Sequence, residues 1–570
     1  MLFLSKKNTS FIWYSYLFLH IAGSALLLCL SRIQFVTLII TFLQIPDKAI
    51  QLQTRLLTPE RWILLWYFAA VWVVIHALLV IYTRAVLLWL CIKWVAFSLS
   101  FGYLRLQIAG VRRTLTLSQK RLFYFVLGIC FLPKIYQAFA FPFLIDELFT
   151  YIYLVQKGIF VAVSYYPGPN NHVFFSLLGT FVDFWAWLFG FEPVVSLRFL
   201  SLSVLFFTSW VAFLWLVARF GFTWAIGGIL FFNFLPPVFL YSFLARGYAL
   251  QACFVVFSSI ALLELSRRDV RNATALEAIF ILSCVLGFYT IPTFLYIMGA
   301  LAIRYIRLVK PIRSLFLIGI ITLLLYLPII LFNGLAAVTR NSWVRALTWQ
   351  EFIGKSGGYS DLVSADWWGD LPFATGLSMG IILIFLLVFI FKKHESFEKN
   401  TFWLILAFFI FPILVLPIQR VLPFVRVWTY MSWIWVLVIL LIFKKLPKNK
   451  FIFSIFLLVA ILFSVWSISR FQWQYQVLPY TQIAQKVRKQ ALESVFVNDD
   501  TYHIFLRYEF LKWRQAVKIE YSHFHPEKQY DLLIFAPRNM PKGTAFLKNY
   551  QTITSDGTLR IFQKKSKPAF

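Results

Sequence analysis

A chain of 570 residues with 61% hydrophobic, 20% aromatic and only 13% charged side chains does not have a soluble protein's composition, because soluble domains carry about 25% charged residues. The formal net charge of +30 invites a nucleic-acid partner, but the basic residues sit in short loops between apolar runs, as positive-inside loops do, and no basic face with interleaved aromatics results. All five cysteines, Cys29, Cys91, Cys130, Cys253 and Cys284, fall within apolar runs, which argues against a disulfide framework or a CxxC metal site.

Repeated apolar runs of about 18–25 residues predict a multi-pass α-helical membrane protein. Behind Lys6-Lys7, Phe11–Leu30 reads as a retained signal-anchor helix, since no small-residue cleavage site follows it. Ile33–Ile45 is a short, tilted or re-entrant piece, and Trp62–Tyr82 and Ala85–Tyr103 are the next spans. His76 and Lys93 inside them are expected to face helix neighbours or snorkel. The cluster from Arg105 through Arg112, Arg113, Lys120 and Arg121 is expected to be cytoplasmic. The span from Arg121 to Leu144 then delivers Asp146-Glu147 to the outer face. Thr150–Phe160 is expected as an interfacial helix, and Val173–Phe189, with Asp183 in its middle, as an interfacial or crossing one.

Further spans read as Val194–Ala218, Phe222–Tyr241, Tyr248–Leu265, Ala275–Tyr289, Pro292–Ile303 and Leu315–Phe332. The outer loop Asn333–Pro372 precedes Phe373–Phe391, Thr401–Leu416, Phe424–Phe443 and Phe451–Ser469. The expected total is about 12–16 spans. Beyond Arg470 the composition becomes that of a soluble domain. Ser494–Asn498, Val517–Tyr521, Tyr530–Ala536, and Tyr550–Thr554 with Arg560–Gln563 read as strands, with a Leu506–Trp513 helix among them, giving a small α/β domain. Its histidines, His503, His523 and His525, are expected as exposed strand residues rather than metal ligands. The expected division is 1–120 for additional N-terminal spans, 121–470 for a catalytic membrane domain with outer loops 145–193 and 333–372, and 471–570 for an outer α/β domain. The N-terminus is expected in the cytoplasm and the C-terminal domain outside, in a cell membrane or, in a eukaryote, the endoplasmic reticulum.

This topology gathers an unusual set of residues at the outer face. Asp146 and Glu147 meet there with Asn170, Asn171 and His172, and with Arg246, Arg420 and Arg426. Arginines outside run against the positive-inside bias, and a reason to keep them is an anion, since a guanidinium forks onto phosphate oxygens. Bland readings stand beside these. The acidic pair suits a helix N-terminus, Tyr165-Tyr166-Pro167-Gly168-Pro169 favours a turn by itself, and outer arginines can anchor lipid headgroups. Arg340, Arg345 and Lys355 read as loop charges.

Asp146-Glu147 after a span, an interfacial helix, and then Pro169-Asn170-Asn171-His172 resembles the first outer loop of the GT-C membrane glycosyltransferases. The branch it resembles is the protein O-mannosyltransferase and aminoarabinose-transferase group. Leu197-Arg198-Phe199-Leu200-Ser201, Ala245-Arg246-Gly247-Tyr248-Ala249-Leu250 and Gly287-Phe288-Tyr289-Thr290-Ile291-Pro292-Thr293 are similar to later parts of that pattern. Val173 stands where the family usually has proline, and the N-terminal spans are additional to it. The resemblance implies a GT-C-like fold, a polyprenyl-phosphate sugar donor, and an outer protein, lipid or glycan acceptor. It implies inverting transfer with Asp146 as general base, and Glu147 sharing that role, orienting the acceptor or binding a divalent cation. Tyr166, Asn170, Asn171, His172, Arg246, Tyr248, Arg420 and Arg426 become candidates for binding substrate. Two other functions fit the composition: a transporter or flippase of a lipid-linked or polar solute, for which Lys93 and Lys134 are the intramembrane cations to test, and a non-catalytic envelope assembly protein.

Overall fold

The computed structural model describes residues 6–43, 58–81, 83–168, 171–267, 272–308, 312–339, 345–445 apart from 370 and 372, scattered positions between 454 and 469, and 492–565 apart from a few short stretches. Among them, eight helices are long and apolar enough to cross a membrane: Leu117–Ala140, Pro193–Phe220, Tyr248–Leu265, Ala273–Thr290, Ile312–Asn333, Ala374–Phe391, Ser396–Gln419 and Val425–Lys445. The number rises to nine if Phe222–Phe234 and Pro236–Phe243, bent by 65°, form one span. The larger expected total included Phe11–Leu30, Ile33–Ile45, Trp62–Tyr82, Ala85–Tyr103 and Pro292–Ile303; the helices found there, Lys6–Cys29, Arg32–Leu43, Pro59–Ile81, Thr83–Thr114 and Leu295–Leu308, are not counted among the eight. Phe451–Ser469 lies almost entirely outside the described residues.

Two expectations change for physical reasons. The uninterrupted crossing expected over Phe222–Tyr241 breaks at Leu235. Pro236 and Pro237 cannot continue a helix's hydrogen-bond ladder, and the residue before a proline is driven to extended backbone; Leu235 has φ −58° and ψ 130°. The expected loop Asn333–Pro372 contains a 20-residue helix, Trp349–Trp368. A capping box between Thr348 and Glu351 starts it, and Gly369 at φ 76° ends it.

The Val425–Lys445 span is the most enclosed, with 89% of its apolar window buried and Trp433 and Trp435 fully buried. Beside the broken helix, Lys134 is completely buried and donates to Asn233 Oδ1 at 2.8 Å, two residues before the break. The lysine of the transporter alternative therefore ties the Leu117–Ala140 span to the kink. The side chain of Lys93 lies outside the described residues.

Val173–Phe189 is a 17-residue helix, short for a crossing of about 20 residues. Phe181, Phe184, Trp185, Trp187 and Phe189 are all exposed on it, the aromatic content expected of a helix lying in a membrane interface.

The C-terminal region forms the expected small sheet: β1 (Ser494–Val497), β2 (Lys518–Tyr521), β3 (Leu532–Phe535), β4 (Tyr550–Ser555) and β5 (Arg560–Lys564), in the order β2-β1-β3-β5-β4. β1 pairs parallel with β2 and β3, while β5 pairs antiparallel with β3 and β4. Its helix, Asp500–Lys512, packs on the loop after the Leu117–Ala140 span. Tyr508 meets Phe143 and Tyr151 edge-on, and the Arg507 guanidinium lies 5.1 Å from the Tyr153 ring.

Candidate active site

After Ala140 the chain leaves its span, extends through Phe141–Leu144 and enters a short helix, Ile145–Thr150, which widens into a π-turn over Tyr151–Val155. Such π segments recur at functional sites. Consecutive helical residues project about 100° apart, so Asp146 and Glu147 cannot serve the same surroundings. Glu147 turns into the protein, and Asp146 turns toward the arginines.

Glu147 and Arg198 are both fully buried. Arg198 Nε reaches Glu147 Oε1 at 2.8 Å and Nη2 reaches Oε2 at 2.6 Å, the bidentate fork that is the strongest form of this pair. The remaining guanidinium hydrogens go to backbone carbonyls: Nη1 to Ala138 at 3.1 Å and Phe141 at 2.7 Å, Nη2 to Pro142 at 3.0 Å. Glu147 also accepts from Leu144 N–H at 3.0 Å and from Ala245 N–H at 2.7 Å. The helix-capping reading therefore describes part of what Glu147 does. Through Ala245 the same carboxylate fixes the segment that carries Arg246.

Asp146 meets arginines from 100 and 280 residues further along the chain. Arg426 Nη1 donates to Asp146 Oδ2 at 2.8 Å, and Arg246 Nη2 stands 3.8 Å from the same oxygen. Arg246 Nη1 donates to the Asp146 carbonyl at 3.2 Å. Arg246 is only 3% exposed, whereas the Asp146 side chain remains 30% exposed, so the carboxylate opens outward. Burial acts to raise the Asp146 pKa, but the Arg246 and Arg426 charges outweigh it and hold the carboxyl below its usual range.

His172 closes the cluster. Gly247 N–H donates to its Nδ1 at 2.8 Å, and a neutral imidazole that accepts at one nitrogen carries its proton on the other. Nε2–H thus faces Arg246 Nη2 at 3.4 Å, leaving two donors side by side. Burial first, and then the charges of Arg246 and Arg426, keep the His172 pKa well below the ordinary imidazole value. Tyr248 meets His172 edge-on, and the Tyr241 ring lies tilted at 48° against Tyr248.

The other residues expected here have different surroundings. Asn171 spends both ends of its amide within the loop, donating to Ala162 and Tyr165 carbonyls and accepting from Ser176. Tyr166 packs in an apolar cluster with Val173, Tyr289, Tyr326 and Ile329. Arg420 caps the Ser396–Gln419 helix in the left-handed conformation, its carbonyl accepting from Leu347 N–H at 2.8 Å. Among the described residues it forms no ion pair with Asp146. Asn170 lies outside the described residues. No group of three His, Cys, Asp or Glu side chains arranged to hold a metal occurs among the described residues.

No protein-family model and no curated protein matches this chain. Two solved structures of ArnT from Cupriavidus metallidurans resemble it. The one bound to undecaprenyl phosphate gives a TM-score of 0.41 at 11% identity, over 77% of this chain and 97% of that one. The apo structure gives 0.41 at 10% identity, over 78% and 98%.

Arg198 stands in the Leu197–Ser201 motif, but its pairing with Glu147 has no signal in that motif. The available signal was a lone arginine near the start of an otherwise apolar span, where a charge requires a partner. Gly247 was also missed. A Cβ there would lie 2.7 Å from Thr290 Cγ2 and 2.9 Å from both Cβ and Nδ1 of His172. Gly247→Ala is therefore expected to cost about 1–3 kcal/mol through overpacking and to displace the imidazole. Thermal unfolding of the purified protein would check the first effect. A wild-type melting curve would refute it.

Proposed function

We propose that the chain is a membrane glycosyltransferase of GT-C type, with the 121–470 region as its catalytic domain. It moves a sugar from a polyprenyl-phosphate donor to a hydroxyl acceptor at the extracytoplasmic face. One observation carries this reading: in the segment that follows the Leu117–Ala140 span, a partly exposed carboxylate converges with two arginines from remote parts of the chain. An anion arriving here finds the guanidinium groups of Arg246 and Arg426 and the Nε2–H of His172. These are donors suited to a phosphate leaving group, which needs cationic stabilisation rather than protonation.

In the proposed step, Asp146 takes the acceptor's hydroxyl proton as its oxygen attacks the anomeric carbon. The bond from that carbon to phosphate oxygen breaks, and polyprenyl phosphate leaves with the electron pair and inversion. Arginines paired to Asp146 keep it ionised but weakly basic. As the donor phosphate engages them, the carboxylate loses its partners and its proton affinity rises, so base strength is coupled to donor binding. Glu147 acts as a positioning residue, since its oxygens are occupied by Arg198 and two backbone N–H groups.

The test is purified protein in lipid nanodiscs with isotope-labelled polyprenyl-phosphate sugars and a membrane extract as acceptor, followed by mass spectrometry. A new glycosidic bond and stoichiometric polyprenyl phosphate are expected. Movement of the donor across liposomes without bond formation would instead establish a flippase. The pH dependence follows from the free protein's groups: Asp146 is held down and stays ionised, while His172 is held down and stays neutral. The expected profile of kcat/KM is flat from about pH 5 to 8 with no imidazole inflection near 6.5. An inflection there that disappears in a His172 variant would contradict the assignment.

A further inference from the structure

The helix Trp349–Trp368 lies across the segment that carries Arg426. Residues four apart share a helix face, and Tyr359, Val363 and Trp367 form such a row. Val363 is buried on it, and the two aromatic residues reach the turn Val425–Tyr430 and its entry. The Tyr359 hydroxyl donates to the Pro423 carbonyl at 2.6 Å and accepts the Trp428 indole N–H at 2.6 Å. Trp367 Nε1 donates to the Trp428 carbonyl at 3.4 Å. Just ahead of the helix, Leu347 N–H holds the Arg420 carbonyl. One phenol oxygen therefore ties the chain on both flanks of Arg426, three residues before it and two after.

Packing alone does not fix that turn. The Arg426 side chain is 29% exposed, and its guanidinium lies 4.7 Å from the Phe424 ring, a neighbour on the same short segment. A cavity of about 360 Å³ lies between the helix and the Ser396–Gln419 span, with Tyr359, Trp367 and Trp428 on its walls. Apolar packing is non-directional, and here it is also incomplete, so directed hydrogen bonds set the rotation of the turn. We propose that Tyr359 is a positioning residue: its hydroxyl fixes the segment from Pro423 to Trp428 so that the Arg426 guanidinium meets Asp146. Two guanidinium groups face that carboxylate, Arg426 and Arg246, with neutral His172 against Arg246. Tyr248 and Tyr241 are the other titratable neighbours of Arg426. Loosening the turn withdraws one of the two charges that hold the Asp146 carboxyl below its usual range, so its pKa rises. The consequence for donor binding rests on the transfer reading above; the consequence for Asp146 does not.

Tyr359→Phe in the full-length protein in lipid nanodiscs tests this, because it removes the oxygen and keeps the ring. The measurement is the pH titration of the infrared band of the protonated Asp146 carboxyl, identified by its loss in Asp146→Asn. In Tyr359→Phe the band should titrate about one pH unit higher than in the wild type. Trp428→Phe, which keeps the bond from Tyr359 to Pro423, should shift the band the same way by less, and it decides the matter if Tyr359→Phe does not fold. Tyr326→Phe breaks a comparable bond, to the Phe288 carbonyl at 2.7 Å, and should leave the band where the wild type has it. In the transfer assay Tyr359→Phe should raise the donor KM by ~10-fold, the worth of a charge-assisted hydrogen bond, with kcat nearly unchanged. An unshifted band in Tyr359→Phe, or in Trp428→Phe where only that variant folds, overturns the proposal, as does an equal shift in Tyr326→Phe. A shifted band in a protein that transfers no sugar upholds it and overturns the transfer reading instead.

Discussion

Asp146→Asn is expected to lower the rate of sugar transfer by about 10²–10⁴-fold, the range associated with a positioned general base, while the protein still accumulates in the membrane. The substitution keeps the size of the side chain and an oxygen for Arg426, so the loop retains its geometry. What it removes is the ability to take a proton. It also removes the negative charge that both arginines face, which leads to a sharper expectation. Arg426 and Arg246 become freer to engage a donor phosphate, so KM for the donor should stay level or fall while kcat collapses. A mutation that lowers kcat without raising KM has removed an interaction made in the transition state. Steady-state kinetics with the labelled donor would separate the cases. If Asp146 merely organised the arginines, KM would rise and kcat would survive, and the base assignment would have to be abandoned.

The sequence carried different parts of this structure to different depths. Tyr248–Leu265 and Val173–Phe189 have the boundaries expected of them, because glycine and the change from apolar to charged residues mark helix ends locally. The five strands were readable for a similar reason: short β-branched and aromatic runs bounded by turn residues. The Pro236–Pro237 break was equally local, yet hydropathy averages over it. The division of labour between Asp146 and Glu147 had no local signal. Adjacent carboxylates look equivalent in sequence, and what separates them is a rotation of about 100° plus a partner 51 residues away. Arg420 and Arg426 looked interchangeable for the same reason. A left-handed cap turns the first away, while the turn beginning at Val425 aims the second at Asp146.

The Glu147–Arg198 pair should show the largest effect on stability. Removing one partner from a fully buried ion pair costs about 3–5 kcal/mol, because the other charge is left without compensation. Arg198→Ala should sit at the upper end of that range. It strands the Glu147 carboxylate and also leaves the Ala138, Phe141 and Pro142 carbonyls without their donors. Arg198→Lys should rescue little, since a lysine's single compact charge cannot fork onto the carboxylate and reach three carbonyls at once. Glu147→Gln should be milder than Glu147→Ala: the amide oxygen can still accept from Ala245 or Arg198, although the guanidinium loses its counter-ion. The double variant Glu147→Leu with Arg198→Met should cost less than the sum of its single changes, because neither charge is then stranded. Denaturant or thermal unfolding of the purified protein would measure each term of that cycle. Additive single effects, or an Arg198→Ala variant within about 1 kcal/mol of wild type, would mean that water reaches the pair. In that case Glu147 would be available for chemistry, and the positioning role assigned to it would fail along with the argument that the fold holds Asp146 and Arg246 in register through this one carboxylate.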